Sequence, residues 1–245
     1  MSAEPIEPEP GPAMRRSSCG GCVVEVNGAA VTARASGAIW LADHGVLAAG
    51  DLHFEKGSAY GVRGQLLPPY DTLATLERLE AEVAATSART VILMGDSFHD
   101  AGGESRLSAE VVARIEALVV GRTLVWIAGN HDEDAPVSLP GEAAAEVRLG
   151  RLVLTHEPAE GRAPGEVSGH LHPVATIARY GQRVRRRCFL TDGERMILPA
   201  FGAYAGGLNA ADRAFAGLFG RPPTALLLGD GRVHAVSWAR LSPGR

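Results

Sequence analysis

The sequence predicts a layered α/β domain with mixed β-sheets. In the first half of the chain, apolar runs of strand length alternate with two segments of helical periodicity. In the second half, apolar runs flank turn sequences typical of β-hairpins, such as Asp192-Gly193 and Gly229-Asp230-Gly231. The chain has 245 residues, of which 46% are hydrophobic and 21% are charged. This length and composition favour a single globular domain with a substantial core.

The first residues of the chain differ from the rest in composition. They are rich in proline and glutamate and lack the apolar segment of a secretory signal. We therefore expect a disordered tail over residues 1–22 and one domain over residues 23–245. Three cysteines, an odd number, argue against a disulfide framework and favour a cytoplasmic location. No apolar run approaches the roughly 20 residues of a membrane helix, so no membrane association is expected.

Short apolar runs bounded by turn residues mark the strands. The earliest forms a hairpin over residues 22–33 that turns at Asn27-Gly28. Strands that end in polar residues are expected in the segments 45–54, 90–100, 123–133 and 151–158, and hairpins in the segments 186–202 and 225–238.

Two segments between these strands have the periodicity of amphipathic helices. The first covers residues 68–87, with Asp71 as the expected N-cap. The second covers residues 107–121, with Ser108 as the N-cap and Gly121 as the stop signal. The helices therefore alternate with strands in the first half of the domain.

Residues of metal-binding type follow each of four apolar strands and fill one further segment. Side chains at the carboxyl ends of neighbouring strands in α/β sheets meet in one crevice. Six of the eight histidines lie in these segments, a concentration that packing does not explain. The residues are Asp51 and His53, Asp96, Asn130, His156, and His170 with His172.

The ordered motifs DLH, GDSFHD, GNHD, THEP and GHLH resemble those of the calcineurin-like metallophosphoesterase superfamily over residues 46–173. The stretches DLHFEKGSAY, GQLLPPYDT, GEVSGHLHP and LPAFGAYAGGLN extend the likeness. They are similar to the bacterial ligase-associated DNA-damage-response endonucleases (the PdeM type), from about residue 23 onward. This resemblance implies a metallophosphoesterase β-sandwich of mixed sheets flanked by helices, in αββα layers, with a two-metal centre at one edge.

The resemblance also implies which residues bind the two metal ions. The first ion would be held by Asp51, His53, Asp96 and His172. The second would be held by Asn130, His156 and His170, with Asp96 bridging both ions. All these ligands are oxygen or imidazole, which suits Mn²⁺ best and also Fe²⁺ or Zn²⁺.

Three residues near the motifs are candidates for catalysis. In the superfamily, the histidine that corresponds to His131 protonates the leaving alkoxide, and Asp132 is expected to orient it. His99, three residues after Asp96, resembles a histidine of the double-strand-break repair nucleases. It is expected either to contact the phosphodiester or to hydrogen-bond a metal ligand.

Basic residues could guide a nucleic acid to this site. Arg185, Arg186 and Arg187 follow the H-x-H segment, and Lys56 follows the first motif. They form either a short track for a DNA backbone or a solvated face. The net charge of −4 argues against non-specific coating of nucleic acid unless bound cations supply positive charge.

The sequence thus predicts a Mn²⁺-dependent phosphodiesterase that acts as a DNA endonuclease, with single-stranded DNA as the preferred substrate. By resemblance it would work in DNA repair, with a DNA ligase and a helicase as partners. Two alternatives stay open. One is a hydrolase of another phosphoester, such as a phosphoprotein, a nucleotide or a cyclic nucleotide. The other is a scaffold of this fold in a repair complex, which should have lost some of its metal ligands.

Overall fold

Two large mixed β-sheets lie face to face in a computed structural model, which describes residues 12–65, 67–132, 134–179 and 182–242. A hydrophobic core fills the space between them, with Val24 and Ile92 from the first sheet and Phe189 and Leu226 from the second. The α/β sandwich predicted from the sequence is therefore confirmed. No described helix is both long and apolar enough to cross a membrane.

The first sheet has eight strands in sequence order. The first five strands form four antiparallel pairs, and the last four strands, β5 to β8, run parallel to one another. Their carboxyl ends therefore meet at one edge of the sheet. The strands are β1 (Met14–Arg16), β2 (Cys22–Val26), β3 (Ala29–Ala33), β4 (Ile39–Leu41), β5 (Val46–Ala49), β6 (Thr90–Met94), β7 (Thr123–Ile127) and β8 (Glu142–Ala144).

The second sheet is built from the rest of the chain. Its strands are β9 (Val147–Leu149), β10 (Leu152–Leu154), β11 (Glu166–Ser168), β12 (Val174–Arg179), β13 (Gln182–Thr191), β14 (Met196–Ile197), β15 (Thr224–Gly229) and β16 (Arg232–Ser237). Their order is β16-β15-β13-β14-β11-β10-β9, with β12 paired to β13. The pairs β10–β11 and β11–β14 are parallel, so β10 and β11 end at the same edge.

The expected turns shape these hairpins. Asn27 and Gly28 join β2 to β3 with φ angles of 49° and 78°. Asp230 and Gly231 join β15 to β16 with φ angles of 53° and 68°. Positive φ at both central residues is the geometry that tight hairpins favour, because it matches the twist of the strands.

Asp71 does not cap its own helix. The helix α2 (Asp71–Thr86) has Tyr70 as N-cap, with no side-chain cap hydrogen bond. The buried Asp71 carboxylate instead accepts a hydrogen bond of 3.0 Å from the backbone N–H of Gly57. Gly57 lies in the first turn of α1 (Lys56–Val62), a helix that follows directly on the first motif. The Asp71 carboxylate therefore fixes the start of α1 rather than that of α2.

Helices cover the outer face of the first sheet. In α3 (Ala109–Leu118), the Ser108 hydroxyl accepts a hydrogen bond from the N–H of Val111, which confirms Ser108 as the N-cap. Leu79 of α2 and Ile115 of α3 pack with Trp126 of β7 in a second hydrophobic cluster.

No α-helix of the described chain covers the outer face of the second sheet. A third hydrophobic cluster lies there, which contains Phe215 and Leu218 from a loop with a 3-10 turn. The helical flank that the αββα arrangement implies is therefore present on the first sheet alone within the described ranges.

The strand β1 lies in the segment expected to be disordered. It pairs antiparallel with β2, with Met14 opposite Val24, and Met14 packs against the core between the sheets. Main-chain hydrogen bonds to a sheet edge need no apolar pattern in the added strand, so composition did not indicate it. The predicted tail over residues 1–22 is thus wrong for this strand. Residues 1–11 lie outside the described residues.

Candidate metal centre

Seven side chains of metal-binding type meet at the edge where the two sheets come together. Each follows a strand that ends there. From the first sheet come Asp51 and His53 after β5, Asp96 after β6 and Asn130 after β7; from the second come His156 after β10, and His170 and His172 after β11. All seven predicted ligands thus lie in one region.

The first group joins three of these residues. Asp51, His53 and His172 each offer a ligand atom within 4.8 Å of the others. His172 Nε2 lies 3.0 Å from Asp51 Oδ1 and 3.3 Å from His53 Nε2. Burial lowers the pKa of His53 to about 3, so this imidazole is neutral at physiological pH. A neutral imidazole is the form that binds metal.

The second group joins Asp96, His156 and His170, again with ligand atoms within 4.8 Å of one another. The side chain of Asn130 lies at its centre, because its Oδ1 is 2.9 Å from both His156 Nε2 and His170 Nδ1. Asp96 Oδ1 lies 3.4 Å from His156 Nε2. That Asp96 bridges two ions stays a prediction.

A neighbouring carbonyl selects the tautomer of His156. Its Nδ1 lies 3.1 Å from the carbonyl oxygen of Met94, which can only accept a hydrogen bond. The proton therefore sits on Nδ1, and Nε2 turns a lone pair toward Asn130 and Asp96. A hydrogen bond to the far nitrogen is the usual way in which proteins orient a metal-binding histidine.

The residues fit two divalent cations. Asp51 is 0% and Asp96 3% exposed, and no Lys or Arg of the described chain forms an ion pair with either carboxylate. Within each group two imidazole nitrogens face each other at 3.3 Å. Ring nitrogens this close together and buried anions favour a positive charge between them.

The backbone at the ligands is unusual in a way that the motifs do not show. Nine non-glycine residues of the described chain have a positive φ, and five of them are predicted ligands. Such conformations cost on the order of 1–3 kcal/mol each and cluster at functional sites. The five are Asp51, His53, Asp96, His170 and His172, with φ between 46° and 64°.

Two motif glycines are further functional residues that the sequence analysis missed. A Cβ atom at Gly129 would lie 2.1 Å from the backbone nitrogen of Asp96, and one at Gly95 would lie 2.3 Å from the ring of His156. No side chain fits in either place. The signal was present, because glycine precedes the ligand in the motifs GD and GN.

His131 and His99 lie at the rim of the first group. The His131 side chain is 43% exposed, with Nε2 3.9 Å from Asp96 Oδ2, and its backbone N–H donates to Asp96 Oδ1 at 2.9 Å. The ring of His53 lies 5.6 Å from that of His131 and 5.8 Å from that of His99. The rings of His99 and His131 stack at 5.7 Å. Both predicted catalytic histidines therefore border the same space.

Asp132 differs from its expected role. Its Oδ2 accepts hydrogen bonds from the backbone N–H groups of Ser97, at 2.8 Å, and Phe98, at 3.2 Å. Within the described residues it makes no hydrogen bond to His131. The Asp132 carboxylate therefore braces the loop that carries Asp96 instead of orienting the histidine, because two free backbone amides lie in its reach.

Comparison with known proteins identifies the fold family. Residues 44–194 match the model of the calcineurin-like phosphoesterases. The chain belongs to this family. The phosphoesterase is similar to the Pseudomonas putida nuclease MPE, with 26% identity, a TM-score of 0.66, and 88% of this chain and 100% of that one covered.

A second similar structure is that of Yfce, a phosphoesterase from E. coli, with 18% identity, a TM-score of 0.38, and 78% of this chain and 98% of that one covered. No curated protein matches the sequence. The resemblance stated from the motifs is confirmed. The family and the two ligand groups together indicate a metal-binding hydrolase of phosphoester bonds.

The predicted basic residues of the phosphoesterase do not all lie on the same face of the fold. Side chains alternate between the faces of a strand, so Arg185 and Arg187 share a face with the inner-core residue Phe189. Arg186 points to the outer face and lines a cavity there. The structure therefore does not place Arg186 on one face with Arg185 and Arg187. Lys56 starts α1 beside His53, and burial lowers its pKa.

Proposed function

We propose that this phosphoesterase is a Mn²⁺-dependent endonuclease that prefers single-stranded DNA. The observation that carries the proposal is the pair of ligand groups with His131 and His99 at their rim. The similarity to the nuclease MPE over 88% of the chain favours a nucleic acid over a phosphoprotein or a small nucleotide. The full set of ligands favours an enzyme over a scaffold.

The two ligand groups would each hold one metal ion. Asp51, His53 and His172 would hold one ion, and Asp96, Asn130, His156 and His170 the other, with Asp96 shared. When bound, two such ions stabilise the charge on a phosphodiester and make water a stronger nucleophile at neutral pH.

His131 would donate a proton to the leaving oxygen. It is the exposed histidine beside Asp96, and its backbone N–H donates to that carboxylate, which fixes the main chain of His131 next to the ligand groups. The ring of His99 stacks on that of His131 and would contact the leaving group of the substrate. A positioned general acid of this kind typically contributes about 10²–10⁴-fold in rate.

The biological setting is part of the proposal. A DNA ligase and a helicase are the partners that the resemblance implies, in DNA repair in the cytoplasm. All three cysteines are free thiols, which supports a reducing compartment.

A substrate and metal screen tests the proposed function. The purified chain is freed of metal, loaded with Mn²⁺, Fe²⁺ or Zn²⁺, and given single-stranded DNA, duplex DNA or bis(p-nitrophenyl) phosphate. We expect Mn²⁺ to support the fastest cleavage of single-stranded DNA, and Asp96→Asn to cut nothing. Hydrolysis of the chromogenic ester with single-stranded DNA left intact would refute the nuclease proposal.

A further inference from the structure

Two guanidinium groups from distant parts of the chain meet at one backbone carbonyl. Arg78 of α2 donates a hydrogen bond from Nη1 to the carbonyl oxygen of Phe201 at 2.6 Å, and its guanidinium carbon lies 5.3 Å from the ring centroid of Phe201. Arg187 of β13 donates from Nη1 to the carbonyl oxygens of Ala200, at 2.8 Å, and Phe201, at 3.4 Å. The two positive charges therefore lie side by side.

This arginine pair lies beside the first ligand group. The backbone N–H of Phe201 donates to the carbonyl of Gly50 at 2.9 Å, and that of Gly202 donates to the carbonyl of Asp51 at 3.0 Å. The carbonyl that receives both arginines is thus next in the chain to a residue bonded to a predicted metal ligand. The pair is therefore held by the chain segment that packs against the strand end carrying Asp51.

No carboxylate balances the charge of the pair within the described residues. Other partly buried arginines of this chain have one: Arg34 pairs with Glu82, and Arg114 with Glu80. Arg78 and Arg187 form no ion pair with any described Asp or Glu. Burial, and then the neighbouring Arg78, lowers the pKa of Arg187 to about 10. Two unbalanced cations held together favour the binding of an anion.

The pair also has hydrogen-bond donors to spare. Only Nη1 of Arg78 and of Arg187 donates a hydrogen bond within the described chain. The other guanidinium nitrogens of the two residues have no such partner, and none of them is a fully buried atom. They therefore reach solvent. Planar guanidinium groups with free N–H donors suit the oxygens of a phosphate, which they bind through parallel hydrogen bonds.

We propose that Arg78 and Arg187 bind the phosphate of the nucleic-acid strand that neighbours the cleaved one. This inference rests on the proposed function, since it takes a nucleic-acid strand as the substrate. A strand held at the metal centre brings a second phosphate with it, whereas a small phosphodiester has only one. The pair therefore distinguishes a nucleic acid from a small ester.

Binding to the metal-free full-length chain tests the site without any turnover. The probe is a fluorescent single-stranded oligothymidylate, and its anisotropy gives the Kd at several salt concentrations. We expect Arg78→Gln and Arg187→Gln each to weaken binding about tenfold, the effect of a lost charged hydrogen bond. The slope of log affinity against log salt should fall by about 0.7 for each lost phosphate contact.

Arg186→Gln is the matched control, because Arg186 is next in the strand and points to the opposite face. It should leave both the Kd and the salt slope as in the wild type. Wild-type values for the Arg78 and Arg187 variants as well would overturn the proposal.

Cleavage by the Mn²⁺-loaded chain separates substrate binding from a role in holding the loop. In the Arg78 and Arg187 variants, the ratio of DNA cleavage to bis(p-nitrophenyl) phosphate hydrolysis should fall about tenfold. If both substrates are lost equally, the arginines only position Phe201 and the proposal is wrong. A wild type that cuts the ester and no DNA would refute the proposed function itself, and the phosphate site with it.

Discussion

Replacing Gly129 by alanine should damage the metal centre without touching a ligand. The new Cβ would lie 2.1 Å from the backbone nitrogen of Asp96, 2.4 Å from Asp96 Oδ1 and 2.5 Å from Asp132 Oδ1. Contacts to backbone at such distances force a shift of the chain. Either the loop that carries Asp96 or the one that carries Asn130 has to move. Changes next to metal ligands typically cost about 10–100-fold in metal affinity, and we expect a loss of this size for Gly129→Ala.

The assay is equilibrium dialysis against Mn²⁺ with metal content measured per chain, followed by hydrolysis of the chromogenic diester. Gly61→Ala is the control, because no atom outside its own helix lies within 4 Å of a Cβ at that position and its φ is not positive. It should keep wild-type metal content and rate. If Gly129→Ala bound Mn²⁺ with wild-type affinity and kept the wild-type rate, the close approach of this loop to Asp96 would not matter for the site.

Three other changes give distinct expected results. His131→Ala should keep the bound metal yet slow hydrolysis of esters with poor leaving groups by about 10²–10⁴-fold, with a smaller loss on a nitrophenyl ester; an equal loss on both would exclude the acid role. Asp132→Ala should reduce both rates alike and lower the metal content, because its carboxylate braces the Asp96 loop; a loss confined to poor leaving groups would restore its link to His131. Arg195→Met should cost about 3–5 kcal/mol in the free energy of unfolding, measured in urea, because it leaves the buried Glu166 carboxylate without its 3.0 Å partner. Unchanged stability would show that solvent reaches Glu166.

The sequence carried enough information for the sandwich and for the ligand set. Apolar runs that end in GD, GN and GH gave both the strands and the polar residues that follow them. Because parallel strands end at a common edge, their order alone brought Asp51, Asp96 and Asn130 together. The same rule applies to His156 and His170 in the second sheet.

The features that escaped sequence analysis depend on contacts between distant residues. Arg78 meets Phe201 across 123 positions, and nothing near Arg78 in the chain hints at this. The Asp71 carboxylate accepts a hydrogen bond from the backbone N–H of Gly57 in another helix, although the place of Asp71 in the sequence suited an N-cap. The outward direction of Arg186, in contrast, can be predicted from the sequence. Side chains alternate along a strand, so Arg186 points away from the face of its neighbours once the register is known.

Each ligand group draws residues from both sheets, and this ties the site to the packing of the sandwich. Asp51 and His53 follow strand β5 of the first sheet, and His172 follows β11 of the second. Asp96 follows β6, and His156 follows β10. Neither sheet alone can assemble a group, so the site exists only when the core between them is formed. A cation that binds the folded site adds its binding free energy to the stability of the fold. The binding free energy also compensates part of the conformational strain of the five ligands with positive φ, because the same residues bind the ion.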